Sequence, residues 1–327
     1  MMTKTKAIRV HKIGGPDVLT LDEIELPPPA AGEVQLRHHA IGLNFVDTYF
    51  RSGLYPAPKL PFVLGNEGAG EVVAVGAGVT RFKKGDRVAY GSGQGAYAEM
   101  RNIAEASLIK LPDSISYKQA AGMMLKGLTA NYLLRRTFRV EKGQTVLIQA
   151  AAGGTGTILV QWARHLGATV IGTAGSPEKV KLARENGCHH VINYREEDFA
   201  ARVKEITGGK GCDVAYDGVG KATFPAVLDC LKPFGLLVSF GNASGPVENM
   251  NLGLLSAKGS LYVTRPTLFT HVSDPAVLKQ MAEELLDVVS KGIVKIPVTQ
   301  EFPLAKAADA HRALESRATT GSTVLLP

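Results

Sequence analysis

The chain has 327 residues, enough for two domains with substantial cores, and its 45% hydrophobic and 20% charged residues are typical of a soluble globular protein. No apolar run is long enough to span a membrane and no signal peptide opens the chain, so we expect a cytoplasmic protein rather than a membrane or secreted one. The net charge of +7 suits a polyanionic ligand, but the basic residues are dispersed and lack interleaved aromatic residues, so we expect at most weak RNA binding through phosphates.

The N-terminal third of the chain has the alternating pattern of β-structure. Apolar and polar residues alternate over residues 34–40 and again over 71–75, and glycine-containing turns lie at 14–16, 76–78 and 83–86. Short strands with frequent turns predict a small barrel or folded sheet. His38 and His39 are neighbours on a predicted strand and should therefore face opposite sides. Two helices are predicted next, one from Ser116 through Met124 and one from Leu128 to Leu134.

A glycine-rich turn between a strand and a helix is the central feature of the sequence. Residues 145–150 form a short apolar strand pattern, and residues 151–156 match G-x-G-x-x-G except that alanine holds the first glycine position. Apolar residues then recur at helical spacing up to Leu166, and Gly167 ends the predicted helix. A pyrophosphate can reach the helix N-terminus only without an intervening Cβ, which Gly153 allows, while Gly156 permits close packing of helix on strand. The turn therefore predicts dinucleotide binding.

The second strand of this unit, residues 169–173, indicates which dinucleotide binds. An NAD site would carry Asp or Glu about 20 residues after the glycines, to bind the ribose 2′-hydroxyl. Here the strand ends without an acid, and Ser176 and Pro177 have the pattern of a helix N-cap and first residue. The Ser176 hydroxyl and the Lys179 ammonium would favour a 2′-phosphate. NADPH is therefore favoured over NADH.

The rest of the chain continues this alternation and then departs from it. Strand patterns at residues 191–193, 212–217 and 235–240 are separated by helical ones, which predicts a parallel sheet with right-handed crossovers. Residues 259–264 have the pattern of a last strand. Beyond it we expect a helix over 275–291, an extended piece over 294–298, a helix over 305–316 and a strand over 322–326. Because the nucleotide-binding sheet is then complete, this segment should return to the first domain.

Several segments resemble a known superfamily, the medium-chain dehydrogenase/reductases. Residues 65–70 and 85–88 resemble their first domain, and residues 150–156 resemble their cofactor loop. A closer resemblance, to the NADPH:quinone oxidoreductases of the zeta-crystallin group, covers essentially the whole chain. It is carried by residues 40–49, 51–55, 125–129, 193–196, 238–242, 262–266 and 317–321.

The resemblance implies an α/β fold in which a doubly wound parallel Rossmann sheet is inserted in a GroES-like β-rich catalytic domain. The implied boundaries are 1–126 and 267–327 for the catalytic domain and 127–266 for the NADPH-binding domain. A homodimer, paired through the edge strands around Tyr262, is also implied. The implied cofactor contacts are Asn44, Thr129, Gly153, Gly154, Thr155, Gly156, Ser176, Lys179, Tyr194, Gly218, Phe240, Gly241, Arg265 and Arg317. The implied quinone pocket is lined by Asn44, Tyr49 and Tyr55.

A catalytic zinc ion is not expected. Zinc alcohol dehydrogenases of the superfamily carry Cys and His where this chain has Asn44 and Asn66, and amides are poor zinc ligands. The four-cysteine structural zinc lobe is also absent, because no cysteine precedes Cys188. Without a Lewis acid an alkoxide would not be stabilised, which disfavours alcohol oxidation.

Quinone reduction needs no such metal, because the acceptor is already electron-poor. We therefore predict an NADPH:quinone oxidoreductase that binds the quinone in the interdomain cleft. Asn44 would orient the nicotinamide ribose or the quinone oxygen. Tyr49 and Tyr55 would donate hydrogen bonds or line the pocket. The alternative for either tyrosine is a purely structural role. Two other functions stay open: an enone reductase, which needs a proton donor such as Tyr49 or Tyr55, and a binding protein for RNA.

Overall fold

A computed structural model describes residues 2–327, and the chain divides into two units. The first unit comprises the residues up to Leu128 together with Val272–Leu286 and Ile296–Pro327. The second comprises Thr129–His271 and Asp287–Lys295. Residues 287–295, which the sequence analysis gave to the catalytic domain, thus group with the second unit.

The first unit is β-rich, as the alternating pattern predicts. Its strands are β1 (Thr3–Val10), β2 (Leu19–Leu26), β3 (Glu33–Gly42), β4 (Phe62–Val63), β5 (Glu67–Val75), β6 (Arg87–Tyr90), β7 (Met100–Ala104), β8 (Ile109–Lys110), β15 (Val298–Pro303) and β16 (Ser322–Leu326). Its helices are α1 (Phe45–Ser52), most of α2 (Tyr117–Tyr132), most of α8 (Pro275–Ser290) and α9 (Ala307–Glu315).

Two sheets organise these strands. A three-stranded sheet has the order β2-β1-β4, and a seven-stranded sheet has the order β15-β16-β3-β5-β6-β8 with β7 also paired to β3. On β3 the predicted alternation is confirmed, since His38 is buried while His39 is exposed. The core between the elements includes Leu36, Val72, Val88 and Leu325. Strand β16 lies antiparallel to β3, so the C-terminal segment returns to the first unit.

The second unit holds a single parallel sheet. Its strands are β9 (Thr145–Ile148), β10 (Thr169–Ala174), β11 (His190–Asn193), β12 (Cys212–Asp217), β13 (Leu231–Ser239) and β14 (Tyr262–Thr264), and its helices are α3 (Gly154–His165), α4 (Pro177–Glu185), α5 (Phe199–Ile206), α6 (Gly253–Ala257) and α7 (Leu268–His271). The strand order β11-β10-β9-β12-β13-β14 is that of a doubly wound dinucleotide-binding sheet, with its switch point between β9 and β12. The predicted fold class is confirmed.

Three predicted elements differ from the observed ones. The two helices expected over 116–134 are one helix, α2, because Gly127 does not end it; a Cβ there would lie 2.5 Å from Leu285 Cδ1, so this glycine serves close packing of α8 on α2. The last parallel strand begins at Tyr262 rather than Gly259, because Ser260 has a left-handed φ of 55°. The extended piece expected over 294–298 was misplaced, since β15 starts at Val298.

None of the helices between residues 2 and 327 is both long and apolar enough to cross a bilayer.

Candidate active site

The glycine-rich turn leads directly into the N-terminus of α3. Gly153 is the N-cap residue, and a Cβ added to it would meet only Ala150 O, at 3.3 Å. A Cβ on Gly156 would instead overlap Ala150 O, so only glycine fits where the helix crosses the strand end. The N–H groups of the first turn, on Gly154, Thr155 and Gly156, have no carbonyl partner within the helix. Together with the helix dipole they form a site suited to a pyrophosphate.

The loop after β10 carries the next set of polar groups. Ser176 is the N-cap of α4, as predicted, and its Oγ accepts from the Lys179 N–H at 3.3 Å, with Pro177 in the first helical position. The Tyr194 hydroxyl lies against Gly175, where any Cβ would overlap it. No carboxylate ends β10, which stops at Ala174. The strand thus ends without an acid beside the Ser176 hydroxyl and the Tyr194 phenol, while the Glu178 carboxylate in the first turn of α4 hydrogen-bonds Ser176.

The ends of β12, β13 and β14 supply the remaining predicted residues of this unit. Main-chain atoms approach closely there, because a Cβ on Gly241 would overlap Gly218 O and one on Gly218 would lie 3.0 Å from the Phe240 ring. Arg265 donates from Nη1 to Ser239 O at 2.8 Å.

Eleven of the predicted cofactor residues therefore follow the carboxyl ends of strands of one sheet, where ligands of doubly wound folds bind. They are Gly153, Gly154, Thr155, Gly156, Ser176, Lys179, Tyr194, Gly218, Phe240, Gly241 and Arg265. Thr129 is different, since it is buried within α2. Asn44 and Arg317 belong to the first unit, Asn44 at the start of α1 and Arg317 just after α9.

In the first unit, Asn44 is the N-cap residue of α1 and is held on two sides. Its main-chain N–H donates to Asp47 Oδ2 at 2.9 Å, and its Nδ2 donates to Glu67 Oε2 at 2.7 Å. Asn44 is 5% exposed and Glu67 is fully buried. The same Glu67 oxygen accepts from Lys126 Nζ at 3.0 Å, while the other accepts from the Leu125 N–H at 2.8 Å. The carboxylate thus fixes the nitrogen side of the Asn44 amide.

Asp47 is the centre of a second buried network. Asn66 Nδ2 donates to its Oδ1 at 2.9 Å and the Tyr97 hydroxyl donates to its Oδ2 at 3.1 Å. Burial raises the pKa of Asp47 to about 6, against the opposing effects of these donors and of the Lys126 charge. Because every neighbour is a donor, the geometry suits a carboxylate.

The network continues from Tyr97 to the C-terminal helix α9. His311 Nε2 lies 3.1 Å from the Tyr97 oxygen, and Arg51 Nη1 lies 2.9 Å from His311 Nδ1. Arg51 can only donate, so His311 Nδ1 is the acceptor and its proton is on Nε2. Arg51, 2% exposed, also donates from both terminal nitrogens to Glu315. Burial lowers the pKa of His311 to about 3, which keeps the ring neutral.

The other two predicted pocket residues lie together, Tyr49 on α1 and Tyr55 just after the end of this helix. Their ring centroids are 5.1 Å apart, and the Tyr55 N–H donates to Tyr49 O at 3.1 Å. Tyr49 is buried whereas Tyr55 is half-buried, so the second ring lines a more open space. Phe50 packs edge-on against Tyr55 at 5.7 Å. This cluster offers an aromatic wall with two phenol groups.

The residues at the expected zinc positions do not fit a zinc ion. Both amides, of Asn44 and Asn66, turn their nitrogen atoms toward carboxylates, and an amide nitrogen donates rather than coordinates. Within residues 2–327 no three His, Cys, Asp or Glu side chains form a metal-binding group.

Sequence reasoning did not find Glu67, Lys126, Asp47, Tyr97, Arg51 and His311 as parts of the site. One signal was available: Lys126 is a charged residue within the apolar run from Ala120 to Leu134, and buried lysines are rare unless paired. The others gave no local signal, because Arg51 and His311 are 260 residues apart in sequence.

The chain is similar to known proteins over nearly its full length. Residues 30–113 match the alcohol dehydrogenase GroES-like domain family, and residues 154–287 match the zinc-binding dehydrogenase family. A quinone oxidoreductase of Pseudomonas aeruginosa is 56% identical over 98% of this chain and 99% of its own. A 2-haloacrylate reductase of Burkholderia sp. is 47% identical over 97% and 98%. The crystal structure of Escherichia coli quinone oxidoreductase complexed with NADPH superposes with a TM-score of 0.97 at 50% identity, covering 98% of this chain and 100% of that one.

Proposed function

The chain belongs to the zeta-crystallin-like quinone oxidoreductases of the medium-chain dehydrogenase/reductase superfamily, and we propose that it catalyses the NADPH-dependent reduction of quinones without catalytic zinc. The observation that carries the proposal is the pair of amides, Asn44 and Asn66, bound to carboxylates where zinc-dependent relatives place metal ligands. An oxidoreductase of this fold that cannot hold zinc requires an acceptor that is electron-poor by itself, and quinones are such acceptors.

We assign NADPH to the carboxyl ends of the parallel strands. The α3 N-terminus would bind the pyrophosphate, with Gly153 and Gly156 allowing its approach. Ser176, Lys179 and Tyr194 would bind the 2′-phosphate, since β10 itself ends at Ala174 without an acid. Gly218 and Gly241, which lie against each other after the ends of β12 and β13, would contact the rest of the cofactor. Thr129, Phe240, Arg265, Asn44 and Arg317 complete the proposed contacts.

Bound NADPH supplies a hydride to the quinone, and the residues of the chain bind and orient the acceptor. In the first unit, Tyr49 and Tyr55 form an aromatic wall against which a flat ring can stack. Their phenol groups can donate hydrogen bonds to a quinone oxygen. Asn44 is pre-oriented by Glu67 and by the capping contact with Asp47, so it needs no reorganisation when a ligand binds.

The test is steady-state oxidation of NADPH and NADH with 1,4-benzoquinone and 9,10-phenanthrenequinone, with and without a chelator. We expect fast turnover with NADPH, much slower turnover with NADH and no loss to the chelator. NADPH binding without reduction of any quinone would refute the substrate assignment while leaving the cofactor site intact. Alcohol oxidation that the chelator abolishes would refute the zinc-free mechanism.

A second candidate activity is the reduction of activated alkenes. It is favoured by the 2-haloacrylate reductase relative and by the two adjacent phenols, because hydride addition to an alkene leaves a carbanion that needs a proton. We expect the wild type to reduce 2-chloroacrylate or cyclohexenone, and Tyr49→Phe or Tyr55→Phe to abolish this turnover. Equal alkene turnover by both variants and the wild type would exclude the phenols as proton donors.

We also propose a cytoplasmic homodimer that pairs through β14. This strand is the edge of the parallel sheet, and its first residue, Tyr262, is 61% exposed. Phe234 and Leu252 are exposed hydrophobic residues of the same unit, at 68% and 73%. An exposed strand edge with apolar side chains favours pairing with a second copy.

A further inference from the structure

Lys126 is a buried cation with fewer partners than it has hydrogens. The residue is 6% exposed, and an ammonium carries three N–H donors. Among residues 2–327, the Lys126 ammonium meets a single acceptor, Glu67 Oε2 at 3.0 Å. Buried charges ordinarily have their hydrogen-bonding capacity filled, since each unfilled donor costs free energy. The other two N–H groups of this ammonium have no acceptor among the described residues and are therefore available to bind a ligand.

The position of the ammonium relates it to the proposed quinone pocket. Glu67 Oε2 accepts from both Lys126 Nζ and Asn44 Nδ2, so the ammonium and the amide converge on one oxygen atom. The Lys126 charge also lowers the pKa of Asp47, whose carboxylate accepts a hydrogen bond from the Asn44 main-chain N–H. Lys126 thus introduces a positive charge within two hydrogen bonds of the residue placed at the acceptor.

We propose that the Lys126 ammonium is a hydrogen-bond donor to the quinone oxygen and provides its proton. This inference rests on the proposed quinone reductase function and deepens it. Hydride transfer brings two electrons and one hydrogen to the quinone, so that one oxygen becomes an O–H group and the other is left as an anion. An N–H bond of Lys126 breaks, an O–H bond forms on that oxygen, and the neutral hydroquinone leaves. The resulting amine regains its proton from water, so the ammonium and carboxylate pair is restored.

This role is the one that a metal ion performs in zinc-dependent relatives, namely stabilising a negative oxygen. A preorganised donor in a site shielded from water stabilises an oxyanion far more than a solvated donor does. Glu67 holds the ammonium at 3.0 Å and fixes its position through a carboxylate that also bonds the Leu125 N–H at 2.8 Å. No reorganisation of the pair is needed when negative charge develops.

The first experiment compares Lys126→Gln, Lys126→Arg and Lys118→Gln with the wild type in quinone reduction. Lys118 lies on the same helix and forms an exposed ion pair with Glu301 at 2.7 Å, so it controls for loss of a lysine. We expect kcat to fall roughly 100-fold in Lys126→Gln, as for loss of an oxyanion donor, with an unchanged NADPH dissociation constant. Lys126→Arg should recover most of kcat, and Lys118→Gln should match the wild type.

Folded Lys126→Gln with wild-type kcat would overturn the proposal. If the wild type itself reduced no quinone, the proposed function would fail and the inference with it. If the wild type reduced quinones and Lys126→Gln did so equally well, only the inference would fail.

A second measurement does not depend on turnover or on the folding of a variant. The wild type, without nucleotide, is titrated with 4-nitrophenolate and with 4-nitroanisole, its neutral analogue, and binding is followed by absorbance. A donor ammonium should favour the phenolate about tenfold, in line with a charge-assisted hydrogen bond. Equal affinity for the two compounds would overturn the proposal.

Discussion

His311 should make the stability of the first unit sensitive to mild acid. Its ring is buried and neutral, with Nδ1 accepting from Arg51 and Nε2 directed at Tyr97. Burial lowers its pKa from 6.5 to about 3, so the unfolded chain binds a proton at pH 5 that the folded chain does not. Stability from this group is therefore present above pH 6.5 and is lost as the pH falls toward 3. Between pH 7 and pH 5 the loss is about 2 kcal/mol.

Two other buried groups of the first unit, His38 and Asp47, also change the stability between pH 7 and pH 5. Burial also lowers the pKa of His38 to about 3, so this group likewise reduces the stability as the pH falls. The pKa of Asp47 is raised to about 6, so the folded chain binds the extra proton and stability rises as the pH falls from 7 to 5. Comparing the wild type with His311→Gln cancels both contributions. The variant should therefore lose about 2 kcal/mol less than the wild type between pH 7 and pH 5.

The assay must report on the first unit alone. The single tryptophan, Trp162, lies on α3 in the second unit, so its fluorescence serves as the control. Hydrogen exchange of peptides covering α1 and α9, corrected for the intrinsic effect of pH, measures the opening equilibrium where the network lies. In the wild type, opening should increase about 30-fold more between pH 7 and pH 5 than in His311→Gln.

The matched control is His39→Gln, which removes an exposed histidine from β3 of the same unit. Because His39 is an exposed residue outside the network of Arg51, His311 and Tyr97, we expect this variant to keep the wild-type pH dependence. The reasoning would be refuted if His311→Gln and the wild type lost the same stability between pH 7 and pH 5. That result would mean that His311 is protonated in the folded state and that Arg51 has moved away from Nδ1.

Three further predictions concern the second unit. Gly156→Ala should destabilise this unit by about 1–3 kcal/mol in Trp fluorescence melts, because the new Cβ overlaps Ala150 O. In Gly153→Ala the new Cβ lies 3.3 Å from the same oxygen, so this variant should keep the wild-type stability but bind NADPH more weakly. Lys179→Ala should weaken NADPH binding about tenfold and leave NADH binding unchanged, measured by fluorescence titration; equal losses for both would exclude a contact with the 2′-phosphate. Tyr262→Asp should convert a dimer to a monomer in light scattering, and an unchanged mass would place the interface elsewhere.

The parts of this protein that local sequence determines could be predicted. The glycine-rich turn, the Ser176 cap and the strand-helix alternation each follow from residues a few positions apart, because turns, caps and amphipathic periods are local. The prediction of two helices over 116–134 was wrong for a related reason. Gly127 is a local helix-breaking signal, but its role is to admit Leu285, a residue more than 150 positions later, against the helix.

The buried polar groups of the first unit could not be predicted in this way. Glu67, Lys126 and Asn44 come from a strand, a helix and a helix cap that only the fold brings to one carboxylate. A charge buried this deeply is costly unless its partners are already in place, so the sequence can indicate that Lys126 has a partner without indicating which one. The choice of Glu67 matters for the chemistry, because the same carboxylate also orients the amide that replaces a metal ligand. A substitution of Glu67, Lys126 or Asn44 should therefore alter the hydrogen bonds of the other two residues. The effects of such substitutions on catalysis should then not be additive.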